Sequence, residues 1–375
     1  MKPIKRVMVA NRGEIAVRVI RACEDLGIET VITFSEADKE SLPVRMANRA
    51  VCIGTARSQD SYLKVNTIVV AALGTGCDAI HPGYGFLCEQ PELPEKCAQY
   101  GLIFIGPTAE NIRRMGDKIL ARKTAEEVGV QVTPGSELVQ DLNVAKVTAE
   151  NVGYPLLLKA AAGGGGRGMV IVNSEDEIVE AYDIASAEAQ AAFGDDRLYM
   201  EHYIRNARHI EIQVLGDHLG HVIHLGERDC SIQRRYQKIL EESPSPIVSA
   251  ELRERMVDSA IALTKHIHYE GAGTVEFIFD EDGGEFYFME MNTRIQVEHP
   301  VTEMVSGVDL VKEQINLAAH YPLSLSQSEV RLTGHAIECR INAESPEDSF
   351  RPCPGRITEW IPPEGQGIRV DSHCY

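Results

Sequence analysis

Short apolar runs alternate with helix-like patterns through the first third of this 375-residue chain, and no other feature restricts its fold so strongly. Residues 15–26 carry apolar side chains at helical spacing and stop at Gly27, a favourable residue just beyond a helix. Apolar runs at 6–10, 30–34, 79–80 and 103–105 are typical of short buried strands. This alternation predicts an α/β unit, a doubly wound parallel sheet with helices on both faces, which we place at residues 1–115.

The pattern changes beyond residue 116. Asp117 is a favourable N-cap for a helix over 118–127, and Pro134 and Gly135 then interrupt the chain. Longer strands, hairpins and interspersed helices up to residue 333 predict an α+β unit. Residues 335–341 read as a strand followed by loop-rich sequence. We expect 334–375 to be the start of a β-rich third domain that is cut short and lacks the length to close a core.

Composition limits the partners and the location. The chain contains 37 Lys and Arg against 56 Asp and Glu, a formal net charge of −19 at pH 7. This excess of acidic residues argues against nucleic acid or an anionic membrane as a partner, although a local basic cluster can still hold a small anion. No apolar run reaches the roughly 18 residues of a transmembrane helix, and the N-terminus is not typical of a signal peptide. Nine scattered cysteines without a C-x-x-C pair give no support to a zinc site and favour a reducing compartment, so we expect a cytoplasmic protein.

A glycine-rich segment joins two predicted strands, 155–160 and 169–172. It runs from Gly163 to Gly168 and contains Arg167. Glycine lets backbone N–H groups approach phosphate oxygens, and Lys159 at the end of the first strand would add a positive charge. An ordinary surface loop fits the glycines equally well, but the two cations favour a phosphate site. Lys118 opens a predicted helix, where an anion bound nearby would offset its repulsion from the helix dipole.

Two carboxylates are predicted to meet on neighbouring strands. A hairpin turn centred on Gly283 places Glu276 directly opposite Glu290. Like charges directly opposed destabilise a sheet, so a divalent cation between them is a plausible reason for their presence. Ligands that are all oxygen favour Mg²⁺ or Mn²⁺, with Asn292 as a further ligand. A carboxylate pair that shares one proton is the alternative.

Polar side chains continue along the same strand face. In an extended chain, alternate residues from Glu290 to Glu298, including Arg294 and Gln296, share one face. A guanidinium can bind a small oxyanion through two hydrogen bonds, and a nearby carboxylate can act as a base. These residues therefore predict an acid–base step on a small oxygen-rich substrate, with a plain Arg–Glu ion pair as the alternative. The densest basic segment, residues 227–238, is a further candidate anion site.

Several segments together resemble biotin carboxylase, the ATP-grasp component of biotin-dependent carboxylases. They are A-N-R-G-E-I-A at 10–16, H-P-G-Y-G-F-L at 81–87, M-G-D-K at 115–118, the glycine hairpin, 227–238 and 290–302, the last being highly specific. The resemblance implies an ATP-grasp domain over 116–333 with a mobile lid over about 131–203. It implies a ligase that uses ATP and two Mg²⁺ or Mn²⁺ ions to carboxylate biotin with bicarbonate through carboxyphosphate.

The resemblance also implies partners. Biotin would arrive on a carboxyl carrier protein, because the chain has no M-K-M biotinyl site. A carboxyltransferase component would pass the carboxyl group to acetyl-CoA, another acyl-CoA or pyruvate, and a homodimer is compatible with the family. Fatty acid biosynthesis is the implied setting. The alternatives are another ATP-grasp ligase, of the carbamoyl-phosphate type, and a non-catalytic nucleotide-binding module.

By the same resemblance, the site residues fall into three groups. The nucleotide is held by Lys118, Lys159, Gly164, Gly165, Gly166, Glu201, His202, Tyr203, Ile204, His209, Gln233 and Tyr236. Metal ions are ligated by Glu276, Glu290 and Asn292. Bicarbonate and biotin are bound by Lys238, Arg294, Gln296, Val297, Arg340 and Tyr84, and the catalytic residues are Arg294, Lys238, Glu298 as the base and Arg340. Tyr236 stands where the family usually has His, and His202 where it often has Lys.

Overall fold

A parallel sheet with flanking helices forms the N-terminal part of the computed structural model, which describes residues 3–136, 138–139, 141–161 and 169–375. Its elements are β1 (Arg6–Val9), α1 (Gly13–Asp25), β2 (Glu29–Ser35), α2 (Leu42–Met46), β3 (Arg49–Gly54), α3 (Val65–Gly74), β4 (Ala79–His81), α4 (Glu92–Gln99), β5 (Ile103–Phe104) and α5 (Ala109–Gly116). The five strands are parallel, in the order β3-β2-β1-β4-β5.

The two faces of this sheet are covered separately, as the doubly wound prediction requires. Val7 and Val9 of β1 pack in one core with α1, whereas Met8 points to the other face and packs with α3 and α4. Strand β3 was not predicted from an apolar run. It lies at the edge of the sheet, and most of its residues are half or fully exposed on a mixed sequence that begins with Arg49, so periodicity gives little signal.

The second part of the chain begins with a helix and a small sheet. Its elements are α6 (Lys118–Glu127), α7 (Leu142–Val152), β6 (Leu156–Ala160), β7 (Met169–Val172), α8 (Ile178–Phe193) and β8 (Leu198–His202). Asp117 caps α6 as predicted, accepting hydrogen bonds from the N–H groups of Ile119 and Leu120. Strands β6 and β7 form the predicted antiparallel pair, with Lys159 opposite Met169, and β8 completes a three-stranded sheet with its own core. Gly164, Gly165 and Gly166 lie outside the described residues.

A larger antiparallel sheet carries the predicted site. The elements are β9 (Ala207–Gly216), β10 (Val222–Arg234), β11 (Gln237–Ser243), α9 (Ala250–His266), β12 (Gly271–Asp280), β13 (Glu285–Asn292), α10 (His299–Ser306), α11 (Leu310–Ala318) and β14 (Ala336–Cys339). The strand order is β13-β12-β9-β10-β11-β14. Ile210, Ile212 and Val214 of β9 face the core that contains α9, so the alternating Glu211 and Gln213 lie on the opposite face. That polar face holds the site described below.

The segment after residue 334 extends the larger sheet. Strand β14 pairs antiparallel with β11, and a two-stranded ladder of β15 (Glu344–Ser345) and β16 (Arg351–Pro352) follows. Much of the remainder is irregular, and Ile341 and Ile361 are 86% and 79% exposed. Within the described ranges, every helix is too short or too polar to cross a bilayer. The observed order of an α/β unit, an α+β unit and a short β segment confirms the predicted fold class.

Candidate active site

The predicted carboxylate pair is present on the polar face of the larger sheet. Glu276 of β12 and Glu290 of β13 are direct cross-strand partners. The turn is not centred on Gly283, however, because Asp280 pairs with Glu285 and Phe277 with Phe288. Met289 has no partner of its own on β12. It forms a β-bulge that shifts the register by one residue. The pairing is therefore confirmed, while the turn assumed to produce it was wrong.

The prediction of a continuous strand from Glu290 to Glu298 is wrong. Strand β13 ends at Asn292, residues 293–298 are irregular, and Glu298 is the N-cap of α10, which has Pro300 in its first turn. Proline disfavours a continuing strand and suits a helix start. The polar side chains converge nevertheless.

Two amide side chains join this loop to the carboxylate pair. Asn292 Nδ2 donates to Glu276 Oε1 at 2.8 Å, and Gln296 Nε2 donates to the same oxygen at 2.6 Å. Val297 is half-buried between Gln296 and the N-cap residue Glu298. The two amide groups hold the Glu276 carboxylate in one orientation, and because they are uncharged they do not neutralise its negative charge.

Lys238 lies at the centre of three carboxylates. Its ammonium is 2.6 Å from Glu211 Oε2, 3.1 Å from Glu276 Oε1 and 2.6 Å from Glu298 Oε1. Burial alone would lower the pKa of Lys238, but the three acidic groups raise it well above its usual value. Lys238 is therefore a fixed positive charge that joins the carboxylate pair to Glu298.

A second cation binds the other oxygen of Glu298. Arg340 Nη2 donates to Glu298 Oε2 at 2.9 Å, and Arg340 Nε donates to Glu241 Oε1 at 2.6 Å. Arg340 follows β14, far from Glu298 in sequence, and reaches it because β14 pairs with β11. Glu298 is thus held in one orientation between two cations.

Arg294 connects the loop after β13 to the N-terminal unit. Its Nη2 donates to Asn292 Oδ1 at 2.6 Å, and its Nε donates to Glu89 Oε2 at 2.9 Å. Burial alone would lower the pKa of Arg294, but Glu89 and other nearby acidic groups raise it above its usual value. Glu89 was not predicted because it lies in the N-terminal unit, and only the tertiary fold brings it to this loop.

The residue at the centre of the polar face is Arg228. The sequence analysis named it only as part of the basic segment 227–238. It is fully buried and donates to side chains on several surrounding elements. Its acceptors are Glu211 Oε1 (2.5 Å), Gln213 Oε1 (2.7 Å), Thr302 Oγ1 (2.9 Å), Thr274 Oγ1 (3.1 Å) and Gln296 Oε1 (2.6 Å). Arg228 therefore holds these side chains together through hydrogen bonds. The exposed part of the 227–238 segment forms a hairpin turn at Arg235 and Tyr236, both of which have positive φ.

Most predicted nucleotide residues surround the small sheet and the near end of the larger one. Lys159 and Arg122 both pair with Glu201, the latter at 2.5 Å through Nη1. Half-buried His202, Tyr203 and Ile204 follow Glu201 directly. The N–H groups of His202 and Tyr203 donate to the carbonyls of Pro134 and Pro155 at 2.7 and 2.9 Å. These bonds join the segment to the loop after α6 and to the residue before β6.

His209 and Gln233 lie beside the carboxylate pair. His209 Nε2 is 3.2 Å from Glu276 Oε2, and His209 Nδ1 is 3.3 Å from Gln233 Nε2. Burial alone would lower the pKa of His209, but Glu276 and Glu211 raise it to about 9. Tyr236, also predicted to hold the nucleotide, is 59% exposed at the hairpin turn, and Tyr84 donates its hydroxyl hydrogen bond to Glu14.

The donor set fits a hard divalent cation. The Glu290 carboxylate makes no hydrogen bond with another described side chain, and burial and the charge of Glu276 raise its pKa. One ligand atom each from His209, Glu211 and Glu276 lies within 4.8 Å of the others. The pair Glu276 and Glu290 supplies carboxylate oxygens, which are ligands that Mg²⁺ and Mn²⁺ prefer.

Comparison with known families agrees with this geometry. The family model described as biotin carboxylase, N-terminal domain, matches residues 3–112, and the biotin carboxylase C-terminal domain matches 338–375. Between them, the ATP binding domain of the carbamoyl-phosphate synthase L chain matches 117–326. Biotin carboxylase 1 of Bacillus subtilis is 55% identical over 99% of this chain and 83% of its own length. The chain belongs to the biotin carboxylase family.

Solved structures of biotin carboxylases share the fold. A biotin carboxylase–β-γ-ATP complex from Campylobacter jejuni has a TM-score of 0.96 and 50% identity, over 100% of this chain and 83% of that one. The biotin carboxylase domain dimer of Hydrogenobacter thermophilus 2-oxoglutarate carboxylase, with MgADP, ADP and bicarbonate, has a TM-score of 0.95 and 51% identity, over 99% and 82% of the two chains. The predicted ATP-grasp ligase class is confirmed. The flanking biotin carboxylase domains do not favour the carbamoyl-phosphate alternative.

Proposed function

We propose that this chain catalyses the ATP-dependent carboxylation of biotin by bicarbonate, with the side chains of Lys238, Glu298 and Arg340 as its chemical centre. The observation that carries the proposal is the Glu298 carboxylate held between Lys238 at 2.6 Å and Arg340 at 2.9 Å. Lys238 also contacts Glu276, one of the two opposed carboxylates Glu276 and Glu290. The biotin carboxylase family of the chain supports ATP, Mg²⁺ or Mn²⁺ and carrier-borne biotin as its cofactors and substrates.

Bicarbonate activation is assigned to the loop before α10. We expect Arg294, Gln296 and Val297 to hold bicarbonate near Lys238, while Glu298 accepts its proton. The deprotonated oxygen attacks the γ-phosphorus of ATP, the bond to the β-phosphate oxygen breaks, and ADP leaves. Carboxyphosphate then divides into CO₂ and phosphate. Two cations beside Glu298 lower the cost of assembling these negative charges in a partly buried site.

Biotin is assigned to the Arg340 side of Glu298. The phosphate released from carboxyphosphate accepts the N1 proton of biotin, the ureido oxygen then carries negative charge, and N1 bonds to CO₂. The Arg340 guanidinium would stabilise that charge, and Tyr84 would lie near the biotin ring. Holding both reactants in one closed site replaces a collision in water with an oriented encounter.

The divalent cation is assigned to Glu276, Glu290 and Asn292. When bound, the cation neutralises phosphate charge and orients the γ-phosphate. Lys118 lies close enough to oppose the rise in the Glu290 pKa, so it is placed to contact the same phosphates. Lys159, His209, Gln233 and the glycine loop would complete the nucleotide site, with the segment from Glu201 to Ile204 at the adenine.

We also propose that the chain comprises an N-terminal domain at 1–115, an ATP-grasp domain at 116–333 with a lid near 131–203, and the start of the C-terminal domain at 334–375. The relatives imply a biotin carboxyl carrier and a carboxyltransferase as partners and a dimer as the assembly. Relatives include biotin carboxylases and a pyruvate carboxylase component from Methanothermobacter thermautotrophicus. We propose acetyl-CoA, another acyl-CoA or pyruvate as the final acceptor. Cytoplasmic location stays a prediction.

A turnover assay tests the proposed function directly. With ATP, Mg²⁺, bicarbonate and free biotin, we expect carboxybiotin to form in step with ADP, and omission of bicarbonate to stop ADP release. Ammonia in place of biotin should not stimulate the reaction, which separates it from carbamoyl-phosphate chemistry. Tight ATP binding without bicarbonate-dependent turnover would instead support the non-catalytic module.

The metal assignment predicts a specific binding defect. Glu290→Gln removes one anionic ligand while keeping its shape, so Mn²⁺ affinity in the presence of ADP should fall by at least about tenfold. Titration followed by the electron paramagnetic resonance of free Mn²⁺ measures this affinity without turnover. Glu285→Gln, at the exposed start of the same strand, is the matched control. Equal Mn²⁺ affinity in the two variants would contradict the assignment.

A further inference from the structure

Two further carboxylates face each other on the strand pair β11–β14, beside Arg340. Glu241 and Glu338 are direct cross-strand partners. Glu241 Oε1 accepts the hydrogen bond from Arg340 Nε at 2.6 Å. Its Oε2 and the Oε2 of Glu338 are both buried without a hydrogen-bond partner in the part of the chain that the structure describes. Two opposed anions would repel each other here, so the pair requires a compensating positive charge.

Among the residues that the structure describes, Arg340 is the one cation that bonds to the pair. The charged and titratable groups around it are Arg340 after β14, Lys238 on β11, Glu298 at the start of α10, Tyr84, and Asp371 in the C-terminal segment, which pairs with Arg369 at 2.7 Å. Lys238 bonds to three other carboxylates, and Arg340 divides its hydrogen bonds between Glu241 and Glu298. The acidic groups therefore outnumber the cations around the pair, and a proton is the simplest compensation.

The electrostatics agree with a retained proton. Burial raises the pKa of Glu241 to about 7, with the charge of Glu298 adding to the effect and Arg340 opposing it. Burial and the charge of Glu241 raise the pKa of Glu338 to about 8. Because Arg340 hydrogen-bonds to Glu241 and stabilises its anion, the proton resides on Glu338.

We propose that Glu241 and Glu338 share one proton during turnover and that, in this state, the pair positions Arg340 for biotin. This inference rests on the proposed function. The Glu241 anion holds the Nε edge of the guanidinium, which leaves Nη2 directed at Glu298. The protonated Glu338 is neutral, so it does not compete with the Glu241 anion for the guanidinium. Loss of that proton creates a second anion beside Arg340, which draws the guanidinium away from Glu298.

The pH profile of carboxybiotin formation tests the positioning role. Wild-type kcat should fall above a pH of about 8, the pKa of Glu338, by about tenfold per pH unit. Glu338→Gln keeps a neutral group that can donate a hydrogen bond, so it should match the wild-type kcat at neutral pH and lack this alkaline fall. Glu241→Gln should lower kcat at every pH with little change in KM for ATP. Glu242→Gln, whose carboxylate pairs with His335 instead, is the matched control and should keep the wild-type profile.

Thermal unfolding tests the shared proton independently of activity. A carboxyl whose pKa is raised from 4.5 to about 8 in the folded state stabilises less and less as pH rises through that window. Glu338→Gln carries no such proton. The Tm of this variant should therefore rise relative to the Tm of the wild type between pH 4.5 and about 8, and the difference in Tm should stay constant above that pH. If Glu338→Gln does not fold, Glu241→Gln supplies the same measurement with a smaller gain.

The outcomes separate the two proposals. A wild type that makes no carboxybiotin would defeat the proposed function, while the Tm comparison would still decide whether the pair holds a proton. Parallel Tm curves throughout would overturn the shared proton. An unchanged alkaline fall in Glu338→Gln would overturn the positioning role, and equal losses of kcat and stability at every pH would show that the pair is merely structural.

Discussion

Replacing Glu298 by Gln should lower kcat for carboxybiotin formation by about 10²–10⁴-fold, the range for loss of a positioned general base. Glutamine retains the shape of the side chain but cannot accept the bicarbonate proton. Lys238 remains anchored by Glu211 and Glu276, so the nucleotide and metal site should persist. KM for ATP should therefore stay close to the wild-type value. Steady-state assays of ADP release and carboxybiotin at saturating ATP measure the two parameters separately.

The matched control for this prediction is Glu254→Gln on the exposed side of α9. It makes the same chemical change away from the site and should leave both parameters unchanged. A Glu298→Gln variant that retains more than a tenth of wild-type kcat would show that another group removes the proton. A large rise in KM for ATP would instead indicate that Glu298 acts through the nucleotide site.

The opposition of Glu276 and Glu290 could be predicted because an acidic residue among apolar neighbours on a strand is a strong local signal. The assumed turn was nevertheless wrong, and the bulge at Met289 restored the expected register. A bulge cannot be read from apolar alternation, since it depends on how the strand packs. The same local signal is present in I-E-I-Q-V at 210–214, where it identifies Glu211, a residue that the prediction missed.

Other site residues depend on contacts between distant parts of the chain. Glu89 reaches Arg294 from the N-terminal unit, and Arg340 reaches Glu298 because β14 joins the edge of the larger sheet. Periodicity describes one element at a time and carries no information on these encounters. The family resemblance supplied Arg340, whereas Glu89 and Glu241 have neither a local pattern nor a quoted motif to mark them. Tertiary structure was required to find both.

Arg228 is expected to be the residue on which folding of the site depends most. Arg228→Met keeps much of the volume but removes the buried positive charge, leaving the Glu211 carboxylate without its 2.5 Å partner. Removing one member of a buried ion pair costs about 3–5 kcal/mol, because the remaining charge is desolvated and uncompensated. Because Lys238 still contacts Glu211, we expect the loss of unfolding free energy to lie at the lower end of that range. Denaturant unfolding followed by circular dichroism measures the loss.

The control for this prediction is Arg255→Met, which breaks an exposed pair with Glu285 in which the two side chains are 51% and 44% accessible. Exposed pairs contribute about 0–1 kcal/mol, so this variant should unfold close to the wild type. A loss for Arg228→Met no larger than that of the control would mean that water or the remaining polar groups compensate Glu211. In that case Arg228 would be dispensable for stability, and its hydrogen bond to Gln296 would have to be tested by bicarbonate KM alone.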